Sequence, residues 1–584
     1  MKKSLLFLII TIMFFIPSTA YAEDNSCEKI STATTKTVEI KVKQKIEDIE
    51  NLSQEELDKF SFKYKIIDLY NNNNVLDETT MDSDGNIIFN CFTVNNTDLK
   101  DYSLFDDSSI NDWYYSENAI PENFMPYRLY KIVMDDNKDI PFDYDNLPIY
   151  FALRSNYTNG LFDPTVSYFK DDNDIEDLYN ISFKKKIYHA TEEELQGQAY
   201  AVLDKDLKTL TFFRDEENKY TNKQETGNKV YFTGFETLPS TSSSWSDGWR
   251  YNSNYTPYIK KIVFKDAIKP NNIIGWFEGL TELEELDLSK LDTSLVTKMD
   301  YFLFNCQKVK KVDISTFDVN NVTSVFKAFN QTNVEVLDFT LWNLNQNLER
   351  FQMSEFVLDN RSLKYLNISN FGNWSSSAEF GNIPCLEKLV LNNVYDFSRT
   401  SMKFDGSDNV TTFYPVWYNP EKNRMYNTYQ IRYNLTNDIE DMAGSYIRPT
   451  CTKEASFKSK YNPSKVKRKI KIVEVDETKE LTVELLDTEN VKYNEIVRFR
   501  VIPKTGFKVD RVIIKDTKDN IIEYKKTNTD NEYEFIMPDS DVTIKPVYKE
   551  LVITNPNTGD YFLVIMIMII SGLSVSYCTK KGLK

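Results

Sequence analysis

The side chains that carry most enzymatic chemistry are scarce in this sequence. Histidine occurs once, at His189, within a lysine-rich stretch that predicts a surface position. The sequence has no His-Glu-x-x-His motif, no Gly-x-Ser-x-Gly motif and no glycine-rich loop suited to holding phosphates. We therefore predict no catalytic residue, no metal site and no cofactor. A carboxylate pair acting on a glycosidic bond needs no histidine, so the 88 acidic residues leave glycoside hydrolysis as a minor alternative.

The cysteines are too few and too scattered for a disulfide-rich scaffold. Five of the six precede the C-terminal apolar run, at positions 27, 91, 306, 385 and 451. No two of them form a Cys-x-x-Cys pair, which argues against a thiolate metal site. A bridge between Cys27 and Cys91 is one possibility, and buried free thiols are the other. Cys306 is predicted to be a small buried side chain.

One C-terminal segment has residues suited to a reaction in which the chain is the substrate. The pentapeptide Asn555-Pro556-Asn557-Thr558-Gly559 precedes an apolar run, residues 561–577, and a tail with three lysines. As a helix this run would be roughly 25 Å long, near the lower limit for crossing a bilayer. The lysines would hold the tail on the cytoplasmic side.

This order of features resembles the cell-wall sorting signal of Gram-positive surface proteins. The resemblance implies that a sortase cysteine attacks the Thr558 carbonyl, releases the chain from Gly559 onward and passes the acyl group to an amine of a peptidoglycan precursor. Sortase and peptidoglycan are thus expected partners. Asn555 stands where the family has leucine, which leaves the class of sortase open. A plain membrane anchor is the alternative.

The N-terminus predicts export from the cytoplasm. Lys2 and Lys3, the apolar stretch 5–16 and Ala20-Tyr21-Ala22 form a secretory signal peptide over residues 1–22, with cleavage between Ala22 and Glu23. Residues 1–22 and 559–584 each carry a net charge of +2, so the formal charge of −18 becomes −22 without them. This charge argues against nucleic acid as a partner.

Residues 23–190 are predicted to form an antiparallel β-sandwich, because short segments alternate between apolar and polar side chains. These segments are residues 38–42, 60–66, 87–89, 127–133 and 149–153. Their order resembles the isopeptide-containing domain of Gram-positive backbone pilins. The positions of that family's Lys, Glu and Asn fall near Gln44, Met134 and Lys185, which cannot form the amide in those roles. We therefore predict the pilin-like fold without its cross-link.

An apolar column recurs at intervals of 23 to 29 residues between Ile259 and Leu391. A period of this size with a Leu-x-x-Leu-x-Leu core predicts a leucine-rich-repeat solenoid with one short strand per turn. The column comprises Ile259-x-x-Ile262-x-Phe264, Leu283-x-x-Leu286-x-Leu288, Val309-x-x-Val312-x-Ile314, Val334-x-x-Leu337-x-Phe339, Leu363-x-x-Leu366-x-Ile368 and Leu386-x-x-Leu389-x-Leu391.

Together with the segments Leu286-Asp287-Leu288-Ser289 and Phe304-Asn305-Cys306, the column resembles the BspA-like repeats of bacterial surface proteins. The resemblance covers residues 191–450 and implies adhesion to host matrix or to other cells. Asp287, Asp313 and Asp338 recur at one position of the repeat. They could bind a cation, but hydrogen bonding to loop amides is the favoured interpretation.

The remaining residues complete a mainly β, multidomain prediction. A linker over 451–469, a small β module over 470–550 and the sorting signal over 551–584 follow the array. We predict a secreted surface protein anchored covalently to the cell wall, which binds host extracellular-matrix or cell-surface ligands and is not an enzyme. A structural component associated with pili or a surface coat is the main alternative.

Overall fold

The computed structural model describes residues 27–48, 62–69, 74–82, 84–96, 129–135, 141–144, 147–154, 157–170, 182–216, 219–237, 248–249, 252–342, 352–370, 379–392, 401–403, 416–427, 431, 441–473, 481–487 and 489–551. These residues form a mainly β structure of many short strands in several sheets. The chain divides into two compact units. The first comprises residues 1–45, 61–136 and 145–457, and the second comprises residues 46–60, 137–144 and 458–584.

The N-terminal strands confirm the alternation seen in the sequence. β2, β3, β5, β7 and β10 form an antiparallel sheet in the order β10-β7-β5-β2-β3, and β1 pairs with β4. The strands are β1 (Thr35–Glu47), β2 (Lys63–Asp68), β3 (Asn74–Thr80), β4 (Asn86–Asn95), β5 (Leu129–Met134), β6 (Phe142–Tyr144), β7 (Ile149–Arg154), β8 (Tyr157–Thr158), β9 (Leu161–Phe162) and β10 (Thr165–Lys170).

The repeat region begins with a six-stranded sheet in the order β13-β14-β11-β12-β15-β16. A second sheet has the order β17-β19-β21-β25-β23-β24, and a third, parallel sheet has the order β18-β20-β22. The strands are β11 (Gln198–Asp204), β12 (Thr209–Asp215), β13 (Gln224–Thr226), β14 (Lys229–Thr233), β15 (Lys261–Phe264), β16 (Glu285–Asp287), β17 (Val336–Asp338), β18 (Val357–Leu358), β19 (Tyr365–Asn367), β20 (Glu379–Gly381), β21 (Lys388–Leu391), β22 (Ser401–Lys403), β23 (Val416–Asn419), β24 (Arg424–Asn427) and β25 (Gly444–Ile447). A short 3₁₀ helix spans Thr256–Tyr258.

Equivalent positions of the apolar column lie side by side. Ile262 pairs with Leu286 in parallel register, and Leu337, Leu366 and Leu389 do the same in β17, β19 and β21. These side chains belong to one continuous apolar core. A ring from each successive turn also contributes to this core, with centroids 5.2 to 6.4 Å apart along Phe277, Phe302, Phe329, Phe356 and Phe380.

The chain returns to the N-terminal strands after β25. The Ser167 hydroxyl donates to the Thr450 carbonyl over 2.6 Å, and the Tyr168 N–H donates to the Thr452 carbonyl over 2.9 Å. The buried Phe457 ring lies 5.3 Å from the Tyr64 ring. Residues that follow the array therefore pack with the N-terminal strands, beyond the boundary predicted at residue 190.

Two disulfides tie these elements together. Cys27 forms a disulfide with Cys91 and links the residues before β1 to β4. This is the bridge that the sequence left as one of two possibilities. Cys385 bonds Cys451 across 66 residues, so the alternative of free thiols is wrong at these positions. Cys306 is a buried free thiol, as predicted.

In the second unit, β6 pairs with β26, and the C-terminal strands form two four-stranded sheets, β29-β27-β34-β31 and β28-β30-β33-β32. Their inward side chains form one apolar core. The strands are β26 (Ser456–Tyr461), β27 (Lys467–Ile472), β28 (Leu481–Leu485), β29 (Asn490–Lys492), β30 (Ile496–Pro503), β31 (Phe507–Asp516), β32 (Tyr524–Lys526), β33 (Glu532–Ile536) and β34 (Val542–Glu550).

Residues 451–469 do not form the linker predicted from their run of basic residues. They contain β26, a 3₁₀ helix over Pro463–Lys465 and the start of β27. Within the basic run, Arg468 is buried and lies 2.8 Å from the Asp539 carboxylate. A buried ion pair fixes this stretch, whereas a linker would leave its charges in water.

Candidate functional site

The residues of the predicted signal cleavage and sorting signal lie outside the described part of the structure. This applies to Ala22 and Glu23, and to Asn555, Pro556, Asn557, Thr558 and Gly559 with the apolar run after them. Among the described residues, no helix is both long and apolar enough to cross a bilayer. No group of three or more His, Cys, Asp or Glu side chains in the same ranges could hold a metal ion.

Two of the three positions aligned with the pilin cross-link lie close together. The Tyr64 hydroxyl donates to the Gln44 side chain over 2.8 Å, and Met134 is opposite Tyr64 in the sheet. Lys185 lies elsewhere, on the repeat array, where its backbone N–H donates to the Ser315 hydroxyl over 2.9 Å. The residues that the alignment places together thus belong to two different parts of the first unit.

The recurrent aspartates have the structural role predicted for them. The Oδ1 atoms of Asp287, Asp313 and Asp338 accept the N–H two residues further on, at 3.0, 3.0 and 2.8 Å. Asn367 continues the column with the same bond, at 2.9 Å. Each side chain closes the turn that follows its strand position, because a short carboxylate or amide can bond its own backbone two residues on.

Asp313 and two further aspartates, Asp292 and Asp318, bind a segment from outside the repeats. We call residues 182–190 the strap; they had been assigned to the N-terminal domain from the sequence. Its backbone is held by side chains and a carbonyl of the array. The donors and acceptors are Lys184 N–H to Asp313 Oδ2 (2.9 Å), Lys185 N–H to Ser315 Oγ (2.9 Å), Tyr188 N–H to the Thr316 carbonyl (2.8 Å) and Ala190 N–H to Asp292 Oδ2 (2.8 Å).

His189 lies at this contact, although its side chain is more than half exposed. Its Nε2 is 2.7 Å from Asp318 Oδ2. The Oδ1 atom of Asp318 meanwhile accepts the Asn320 N–H over 3.0 Å. The sequence predicted only a surface histidine, and the structure adds a specific partner. Asp292, Asp313 and Asp318 therefore each use one carboxylate oxygen to close their own turn and the other to bind the strap.

The strap covers the outer face of the later strands. We define the covered face as the side chains of β17, β19 and β21 that point away from the core. Phe183 of the strap packs with Val336 and Tyr365, and all three are buried. Val390 is partly buried against this cluster. The chain itself therefore covers part of this outer face.

The outer side chains of β11 to β16 lie on the opposite face of their sheet from the core, and we call them the open face. Lys261, Glu285 and Asp287 are exposed there. Tyr200 and Phe213 are half-buried, with ring centroids 5.5 Å apart. The sequence indicated an outward aromatic face, because Tyr200 and Phe213 alternate with the core residues Ala201 and Phe212. It gave no reason to distinguish this face from the covered one.

The far end of the array is fixed by a buried carboxylate. Glu387 accepts backbone N–H groups from Thr450, Cys451 and Thr452 at 3.2, 2.8 and 2.8 Å, and the Thr452 hydroxyl at 2.6 Å. Burial raises the pKa of Glu387, and these hydrogen bonds oppose that effect. The arrangement fastens the returning chain beside the Cys385–Cys451 bond.

We expect the attachment of the strap to weaken in acid. Burial alone would raise the pKa of Asp292, but hydrogen bonds from Ser294 and from the Ala190 N–H, with Lys269 at 3.3 Å, hold it below its usual value. A carboxylate with a lowered folded-state pKa stabilises above its unfolded-state pKa of about 3.9, and that contribution is lost as the pH falls through the folded-state pKa. The free energy of unfolding should therefore fall less steeply below about pH 4 in Asp292→Asn than in the unmodified chain. Urea titrations at a series of pH values give the free energy of unfolding of both proteins. An equal dependence of that free energy on pH below about pH 4 would contradict this assignment.

Comparison with known proteins gives one match. A family model described as "Mycoplasma protein of unknown function, DUF285" matches residues 257–371, which span most of the repeat turns. No curated protein matches the chain, and no solved structure does.

Proposed function

We propose that this chain is a cell-wall-anchored surface protein, an adhesin that binds host matrix or other cell surfaces through its repeat array. In this proposal the array is a leucine-rich-repeat solenoid of the BspA-like kind. The parallel pairing of β15 with β16, and of β17 with β19 and β21, supports it, since each strand lies one repeat from the next. A second backbone ladder, in which the Tyr301 and Leu303 N–H groups donate to the Phe326 and Ala328 carbonyls, also joins successive turns.

The open face is the observation that carries the binding function. Extended faces of stacked repeats are common sites of recognition, and the open face of β11 to β16 keeps charged and aromatic side chains in contact with solvent. Aromatic side chains are enriched at protein interfaces, and Tyr200 and Phe213 keep part of their rings in solvent on this face. We therefore place ligand binding on β11 to β16 and not on the covered strands.

Export is supported by the disulfides as well as by the N-terminal sequence. Cys27–Cys91 and Cys385–Cys451 close loops of similar length. Such bonds persist in oxidising compartments and are rare in the cytosol of mesophiles. A secreted chain with the sorting motif at 555–559 would be held at the wall through Thr558.

Replacing Thr558 should release the protein from the wall. Because the proposed sortase forms its acyl intermediate on the Thr558 carbonyl and recognises the side chain, Thr558→Ala should move the chain from the muramidase-released fraction to the membrane and the medium. Thr554→Ala, four residues earlier, is the matched control and should stay in the wall fraction. Immunoblots of the fractions measure this, and equal wall fractions in both variants would contradict anchoring through the motif.

A further inference from the structure

The open face carries a cluster of aromatic rings that contact one another. Tyr220 lies against two strand residues, with ring centroids 4.9 Å from Tyr200 and 4.1 Å from Tyr231. Tyr200 in turn stacks with Phe213 at 5.5 Å. All four side chains are half-buried, so each ring keeps part of its surface in solvent.

Strand register places neutral polar groups around these rings. Thr233 is opposite Tyr200, Gln224 is opposite Tyr231, and Thr211 is opposite Val202, which is itself buried. Directly opposite residues of an antiparallel pair share one face of a sheet. The rings are thus bordered by hydroxyl and amide groups that can both donate and accept hydrogen bonds.

Most of the charged side chains around the ring cluster form ion pairs with other side chains of the protein. Lys219 lies 3.5 Å from Asp215, Lys229 lies 3.7 Å from Asp204, and Lys205 lies 4.0 Å from Glu225. Lys261 of the open face forms an ion pair with Glu285. These pairs cancel most of the local field, so the face offers little attraction to a strongly charged ligand.

We propose that the ring cluster of the open face binds neutral oligosaccharides. A pyranose has a flat C–H surface of slightly positive character, which complements the negative face of an aromatic ring, and a rim of hydroxyls that suits Thr, Gln and Tyr hydroxyl groups. The described aliphatic residues of this face, Val202 and Val263, are buried and half-buried, so the aromatic rings supply most of its apolar surface in contact with solvent. The proposal rests on the adhesin function, for which it names the class of ligand.

The test is calorimetric titration of the full-length chain with maltohexaose, cellohexaose and chitohexaose, and with a heparin hexasaccharide as the anionic probe. We expect at least one neutral probe to bind, and its affinity to fall by about tenfold or more in Tyr220→Ser, which lies outside the strands. Tyr258→Ser, an exposed tyrosine on the 3₁₀ helix, is the matched control and should bind as the unmodified chain does. Tyr231→Phe keeps the ring and should retain most of the affinity.

Three results would overturn the proposal: binding of heparin alone, binding of no neutral probe, or equal affinity in Tyr220→Ser and the unmodified chain. If the same protein still attached to immobilised matrix proteins, only the ligand class would be wrong and the adhesin function would stand. If it attached to neither the oligosaccharides nor the matrix proteins, both proposals would fail.

Discussion

Removing the Cys385–Cys451 bond should cost about 4 kcal/mol of unfolding free energy, because the bond closes a loop of 66 residues and restricts the unfolded chain. The effect should be largest where the chain returns to the N-terminal strands. Cys451 lies between Thr450 and Thr452, whose N–H groups bind Glu387. Without the bond, residues 450–452 lose the covalent link that keeps them next to the Glu387 carboxylate.

The measurement is urea denaturation of the full-length double variant Cys385→Ala/Cys451→Ala beside the unmodified chain, with amide hydrogen exchange across residues 165–170 and 441–457. The amides of Thr450 to Thr452 and the Tyr168 amide should lose protection. Cys306→Ala is the control, since Cys306 is a free buried thiol and its loss opens no loop. If the double variant unfolded at the same urea concentration as the unmodified chain, the bond would not support this end of the array.

Truncating Phe183 should detach the strap and expose the covered face. Phe183 is buried in a cluster with Val336 and Tyr365, and replacing a buried phenylalanine by alanine typically costs about 3 kcal/mol or more. The four strap amides that donate to the array, those of Lys184, Lys185, Tyr188 and Ala190, report directly on attachment.

In Phe183→Ala we expect these four amides to exchange with solvent much faster, while the amides of β11 and β12 keep their protection. Lys186→Ala is the matched control from the exposed side of the strap and should change stability by no more than about 0.5 kcal/mol. Unchanged protection of the strap in Phe183→Ala would show that the backbone bonds to Asp292 and Asp313 suffice without the aromatic anchor.

Much of the fold follows from local patterns in the sequence. Alternation predicted strands at 38–42, 87–89 and 149–153, and these segments lie in β1, β4 and β7. The repeat column placed Leu337, Leu366 and Leu389 side by side because each turn must bury its apolar residues against the next. The turn-closing role of Asp287 and Asp313 was also predicted, since it depends only on the residues just after them.

The features that the sequence did not reveal depend on contacts between distant segments. Phe183 fits the alternation of the N-terminal strands equally well, so nothing local indicates that it packs on Val336 instead. Cys385 and Cys451 meet only because the chain turns back after β25. Arg468 sits in a run of basic residues typical of a solvated linker, and its burial is explained only by Asp539, which lies 71 residues further along the chain.

The adhesin proposal is tested most directly by binding of the full-length chain, coupled to beads, to immobilised collagen, fibronectin, laminin and mucin. We predict attachment to at least one of these surfaces. Val263→Arg, which places a bulky charge on the open face between Thr211 and Asp287, should reduce attachment by about tenfold or more. Ile496→Arg, an exposed position in the C-terminal module, should leave it unchanged. Attachment by Val263→Arg equal to that of the unmodified chain, or no attachment by the unmodified chain at all, would contradict the account.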